Sequence, residues 1–335
     1  MKSLVVLACA ILCLTISVPA RSELREVREV HYQMGTVLDI TLWHSEPGEA
    51  KKLVRRSVQE VHRLEGILSN YDPESSLSFF NERAGRGRVK LDADLFRVLD
   101  VATTLSRRTA GYFDVTVGPL VALWQRAGEK GSLPKPEVLS RNLDLVGAHR
   151  LKLYQTGEAE LLYDGMKIDL GGIGKGYAVD RIVEMFRTAG VKSALVNFGG
   201  SSIYALGNPP HEDDWAIGVQ GIDDHLIGMV HLKDRALSTS GSMGRSWKIQ
   251  GVRYGHLINP KSGLPVAERR SATAIAATAT EAEALTKPPI LLGSPGMALI
   301  KNFPGTESLL VSDGDRLYFS QGFAAATRFQ RIDRQ

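Results

Sequence analysis

A chain of 335 residues, 43% hydrophobic and 23% charged, can bury a large core, which excludes disorder as its working state. Its 41 Lys and Arg nearly balance 37 Asp and Glu, leaving a formal net charge of +4, and no dense basic block interleaved with aromatics occurs. That argues against nucleic acid as the main partner and leaves a phosphate-bearing small molecule compatible.

The N-terminus begins Met1-Lys2-Ser3, runs apolar from Leu4 to Val18 and reaches Val18-Pro19-Ala20 before Arg21-Ser22-Glu23. A positive end, a hydrophobic stretch and a small-residue cleavage site together predict a secretory signal over residues 1–20. The mature chain would start at Arg21, and residues 21–335 show no interior linker that would divide them. Both cysteines, Cys9 and Cys13, fall inside the signal, so the exported protein would carry no disulfide and no thiol chemistry. Val6-Leu7-Ala8-Cys9 resembles a lipoprotein box preceded by few apolar residues, and membrane association is expected only if the chain is lipidated there.

Leu38, Ile40 and Leu42 alternate with Asp39 and Thr41, the two-residue period of a half-buried strand. Glu49 to Leu68 carries Leu53, Val58, Val61, Leu64, Ile67 and Leu68 at helical spacing. The polar, proline-containing stretch Leu68 to Ser76 is a loop, and its Tyr71 is either a packing residue or a stacking platform. Asp94 suits the cap of a helix from Leu95 to about Arg108 that ends at Gly111. Gly111 to Leu120 reads as a short strand closed by Gly118-Pro119. Within it Asp114 is either an acceptor of backbone N–H groups or a ligand contact.

Residues 128–142 form a polar surface excursion, and Leu151–Tyr154 with Glu160–Tyr163 a hairpin. Ile168-Asp-Leu-Gly-Gly-Ile-Gly-Lys-Gly-Tyr-Ala-Val-Asp-Arg181 then places four glycines in six positions, between an apolar run and a helical pattern. It matches neither a Walker A loop, since Tyr177 follows Gly176, nor the G-x-G-x-x-G interval. Two readings stay open: a strand, turn and helix start whose bare N–H groups and Lys175 meet phosphate oxygens, or a glycine turn that lets a helix pack tightly. Ser193 to Asn197 is a buried strand ending at Phe198-Gly-Gly-Ser201, and its turn would face the first one if the two strands are parallel neighbours.

Ser238-Thr-Ser-Gly241 offers hydroxyls, and His256 opens a turn-rich segment to Gly263; such a histidine is either structural or a proton carrier. Thr280 to Thr286 reads as a helix broken by Lys287-Pro288-Pro289. The tail from Glu307 is a hairpin around Asp313-Gly314-Asp315.

In this order, Met34-Gly35-Thr36, Tyr71 to Ser75, Phe113-Asp-Val-Thr-Val-Gly-Pro119, Asp169 to Asp180, Asn197-Phe-Gly-Gly200, Ser238-Thr-Ser-Gly241 and His256 to Gly263 resemble the FAD:protein FMN transferase family, also called the ApbE family. The resemblance implies an α+β fold with a mixed sheet, flanking helices and a flavin cleft. It implies an exported enzyme, periplasmic or on the outer face of the cytoplasmic membrane. Such an enzyme cleaves FAD, links FMN through a phosphoester to a Thr or Ser of an acceptor protein and releases AMP. The acceptors it implies are subunits of respiratory membrane complexes. By the same resemblance Met34, Tyr71, Tyr112, Phe113 and Asp114 would hold FAD, Asp169 and Lys175 its nucleotide part, and the backbone at Leu257 would line the site. His256 would take the acceptor hydroxyl's proton.

The family's magnesium ligands fall here on Gly172, Glu283 and Lys287, and a protonated lysine cannot coordinate a metal. Either Lys287 swings to solvent and water fills its place, or its ammonium stands where the metal would, paired with Glu283 one helical turn earlier. The rival to transfer is a flavoprotein that binds FAD and has lost the chemistry; a third reading is hydrolysis of FAD.

Overall fold

The computed structural model describes residues 23–332 except 243 and 245; the expected signal segment, with Cys9 and Cys13, lies outside them. Its centre is an eight-stranded sheet in the spatial order Arg25–Gln33, Thr36–His44, Ala194–Phe198, Ser202–Leu206, Arg235–Gly241, Ser271–Ala276, Glu307–Ser312 and Arg316–Phe319. The α+β class holds. The sheet is not mixed, however, because all seven of its pairings are antiparallel.

Side-chain alternation along these strands gives the sheet a core on each face. Leu38, Ile40, Leu42, Val196, Phe198 and Tyr204 point to the larger one, shared with the helices Pro47–Leu68, Ala93–Arg108 and Gly174–Thr188. Ile203, Ala205, Leu237, Ile275, Leu309 and Val311 point to the other, covered by a small sheet containing Trp215–Gln220 and Leu226–Leu232. Among the described residues no helix is long and apolar enough to cross a membrane.

The predicted strand at Leu38–Leu42, the helix at Glu49–Leu68 and the hairpin around Gly314 are present. Four expectations change. Asp92, not Asp94, caps the helix Ala93–Arg108, accepting from Asp94 N. Asp94 turns inward instead, to Arg63 at 2.5 Å and the Tyr177 hydroxyl at 2.6 Å. Gly111 to Leu120 is no strand: Asp114 caps a single turn, Val115–Val117, and Gly118-Pro119 begins the helix Gly118–Lys130. Proline's fixed φ suits a helix's first turn, so the dipeptide opens an element where it was expected to close one.

The apolar run before the four glycines is not a strand either. Asn81 takes both backbone groups of Ile168, at 2.7 and 3.1 Å, and Asp169 N donates to Val115 O at 2.7 Å. With its backbone satisfied by a side chain and a turn, this segment has no need of a sheet neighbour. Finally, Pro288 and Pro289 do more than end the helix Ala279–Leu285: they occupy the first turn of the next one, Lys287–Leu292.

Candidate active site

None of the glycines at 171, 172, 174 and 176 has a positive φ, so backbone freedom does not explain them, and close approach does so most clearly at Gly176. A Cβ on Gly176 would lie 2.3 Å from Ala279 O, and one on Gly172 3.1 Å from Lys287 Cε. The helices Gly174–Thr188 and Ala279–Leu285 thereby meet at their N-terminal ends. Asp180 clamps them, accepting from Ala279 N at 2.7 Å and from Thr280 N and Oγ1 at 2.9 and 2.5 Å. Burial pushes the Asp180 carboxyl up to about 6 against these three bonds.

The N–H groups of this turn are largely spoken for. Gly171 N donates to Asp169 Oδ1 at 2.8 Å, Gly174 N to Leu170 O at 2.8 Å and Gly176 N to Glu283 Oε2 at 2.7 Å. The packing reading therefore holds at Gly176, and Lys175 brings positive charge beside the turn. Lys175 stands 3.4 Å from Glu283 Oε1, with Glu283 buried and Lys175 part-exposed.

A cleft of about 700 Å³ opens beside this turn, and Tyr71, Tyr112, Phe113, Asp114, Asp169, Gly172, Lys175, His256, Leu257, Glu283 and Lys287 all line it. That volume falls within the range of small-molecule and cofactor sites. Tyr71, 83% exposed, is no packing residue and stands as an aromatic face at the cleft. Asp114 is the structural acceptor: it takes Thr116 N at 2.8 Å, Thr116 Oγ1 at 2.6 Å, Ala148 N at 2.8 Å and Ser106 Oγ at 3.3 Å. Burial raises the Asp169 carboxyl above its ordinary range, opposed by the Gly171 N–H and the Asn70 side chain.

Leu257 O accepts from Val266 N at 2.9 Å, which fixes the segment carrying His256. Met34 does not line the cleft. It holds φ 46° in the turn between the first two strands, and its connection is indirect, since Gly199 of the cleft wall donates to Val37 O at 2.7 Å.

Lys287 turns inward rather than to solvent. Its Nζ donates to Glu283 O at 2.9 Å, Thr286 Oγ1 at 3.0 Å and Ser240 Oγ at 3.2 Å. The partner is the backbone carbonyl of Glu283; its carboxylate serves Gly176 and Lys175. Burial pushes Lys287 down to about 8, against the attraction of Glu283 and with the repulsion of Lys175 added. Magnesium needs open oxygen ligands in near-octahedral array, but here the ammonium already uses the available hydroxyls. The residues at Gly172, Glu283 and Lys287 come together, yet they do not fit magnesium.

Ser240 and Thr286 were not among the expected site residues. The hydroxyl run before Gly241 was a signal for Ser240; nothing local marks Thr286, or the cleft-lining Gln125 and Trp247.

Fold and cleft define an α+β protein with a ligand site beside an antiparallel sheet, rimmed by aromatics and carrying two lysines. The ApbE family profile matches residues 34–310, and the chain belongs to that family. It is 30% identical to an FAD:protein FMN transferase of Treponema pallidum, over 96% of this chain and 94% of the relative. The ApbE protein of Thermotoga maritima superposes with a TM-score of 0.81 at 27% identity, over 90% of this chain and 99% of that one. The flavin transferase ApbE of Vibrio cholerae gives 0.78 at 25% identity with the same coverage.

Proposed function

We propose that this chain is an FAD:protein FMN transferase, exported and acting on a Thr or Ser of an acceptor protein that belongs to a respiratory membrane complex. The observation that carries the reading is the joint placement of Tyr71, Lys175, Lys287 and His256 on one cleft of a family member. The export signal supports the location, and the near-full-length similarity to named transferases supports transfer over mere flavin binding.

FAD is the substrate. Its flavin ring would lie against Tyr71, with the pyrophosphate toward Lys175 and Lys287. The acceptor hydroxyl loses its proton to His256 and its oxygen bonds to the FMN phosphorus. The bond from that phosphorus to the oxygen of the AMP phosphate breaks, AMP leaves with the bonding pair, and His256 returns its proton to solvent. Phosphoryl transfer asks chiefly for positioning and for positive charge near the phosphate oxygens, and the two lysines supply that charge. A general base of this kind contributes about 10²–10⁴-fold.

Chromatographic assay of AMP from FAD, with and without acceptor protein, tests the reading. AMP that appears only with acceptor supports transfer. AMP without acceptor means hydrolysis, and bound FAD with no AMP in either case means a flavin-binding relative.

A further inference from the structure

The Lys287 ammonium sits in a closed set of three oxygens drawn from three places: Glu283 O, Thr286 Oγ1 and Ser240 Oγ. Every proton in that set has a destination. Thr286 Oγ1 donates to Glu283 O at 2.8 Å, which leaves Ser240 Oγ to donate to Thr286 Oγ1 at 2.9 Å. Both hydroxyls then accept from Lys287, whose three N–H bonds match the three acceptors. The lysine stem runs against Gly172, where a Cβ would stand 3.1 Å from Cε and 3.8 Å from Nζ. The Glu283 carboxylate is directed elsewhere, to Gly176 N and Lys175. A divalent ion at these oxygens would have to displace a cation that is covalently part of the chain.

We propose that Lys287 is a resident cation that replaces the divalent metal of this cleft, so that FAD binding and FMN transfer here proceed without added metal. This rests on the transferase reading above. Two ammonium groups, Lys175 and Lys287, flank the Glu283 carboxylate on the cleft floor, where an anionic pyrophosphate would meet them, while the Asp114 carboxylate is taken up by protein donors. The protein gains a charge that chelators cannot remove.

The test uses manganese(II) as a paramagnetic probe on the mature protein at pH 7, by electron paramagnetic resonance titration, alongside FAD affinity and FMN transfer in EDTA and in magnesium. Wild type should hold no manganese in the cleft. Lys287→Thr, which removes the ammonium and adds a hydroxyl, should bind one ion per chain at least about tenfold more tightly. FAD affinity should differ less than about twofold between EDTA and magnesium in wild type, and about tenfold or more in Lys287→Thr. FMN transfer by wild type should persist in EDTA.

Manganese bound by wild type and lost in Glu283→Gln would overturn the proposal, as would transfer abolished by EDTA and restored by magnesium. So would a folded Lys287→Thr that binds no metal. If that variant does not fold, the wild-type measurements decide alone. If wild type moves no FMN in either condition, the transferase reading fails, while the manganese titration still judges the cation.

Discussion

At the scale of single residues, the cleft lining includes a group committed to the fold beside groups placed to meet a ligand. Asp114 spends its carboxylate on four protein donors, whereas Tyr71 is exposed and His256 lines the cleft. Replacing His256 by Ala should leave the FAD dissociation constant nearly unchanged and slow transfer by about 10²–10⁴-fold, read as the rate of FMN addition in single turnover. Tyr71→Ala should weaken FAD by about fivefold, from the loss of about 1 kcal/mol of aromatic contact, with the melting temperature unmoved. Fluorescence titration of FAD and a thermal melt check that pair together. Gly176→Ala is the contrasting case: its Cβ meets backbone at 2.3 Å, which cannot move aside cheaply. About 1–3 kcal/mol of stability should be lost in urea unfolding.

Between elements, the helices Gly174–Thr188 and Ala279–Leu285 are joined by Asp180 as well as by the close approach at Gly176. The Asp180 pKa is raised to about 6 in the fold from an ordinary 3.8. A carboxyl raised in this way favours the folded state fully below about pH 4 and loses that contribution as pH rises through 6. Relative to Asp180→Asn, wild type should therefore lose up to about 3 kcal/mol between pH 4 and pH 7, measured as the difference in unfolding free energy at the two values.

The elements that could be read in advance were those with a period. Leu38, Ile40 and Leu42 mark a strand and Leu53 to Leu68 a helix because each buries one face. What escaped were segments whose partners come from far along the chain. Met166 to Leu170 has a strand-like composition, but Asn81, 87 residues earlier, takes the backbone of Ile168. Lys287 could be flagged as out of place at a metal position, yet its inward turn depends on Ser240, 47 residues away.

For the whole molecule, the antiparallel sheet is a wall with a core on each face, and the cleft gathers turns and helix starts beside it. Chain similarity reaches nearly from end to end, so the activity proposed belongs to the molecule as a unit. The proposed export predicts that cells making the full chain deliver a form beginning at Arg21, seen by N-terminal sequencing of the periplasmic fraction; only uncleaved chain in the cytoplasm would contradict it. The most direct measurement is intact mass spectrometry of an acceptor domain after incubation with this protein and FAD. A mass gain equal to one FMN less water, lost when the acceptor's Thr or Ser is replaced by Ala, is the predicted result. An acceptor of unchanged mass, while FAD stays bound in the cleft, would contradict transfer.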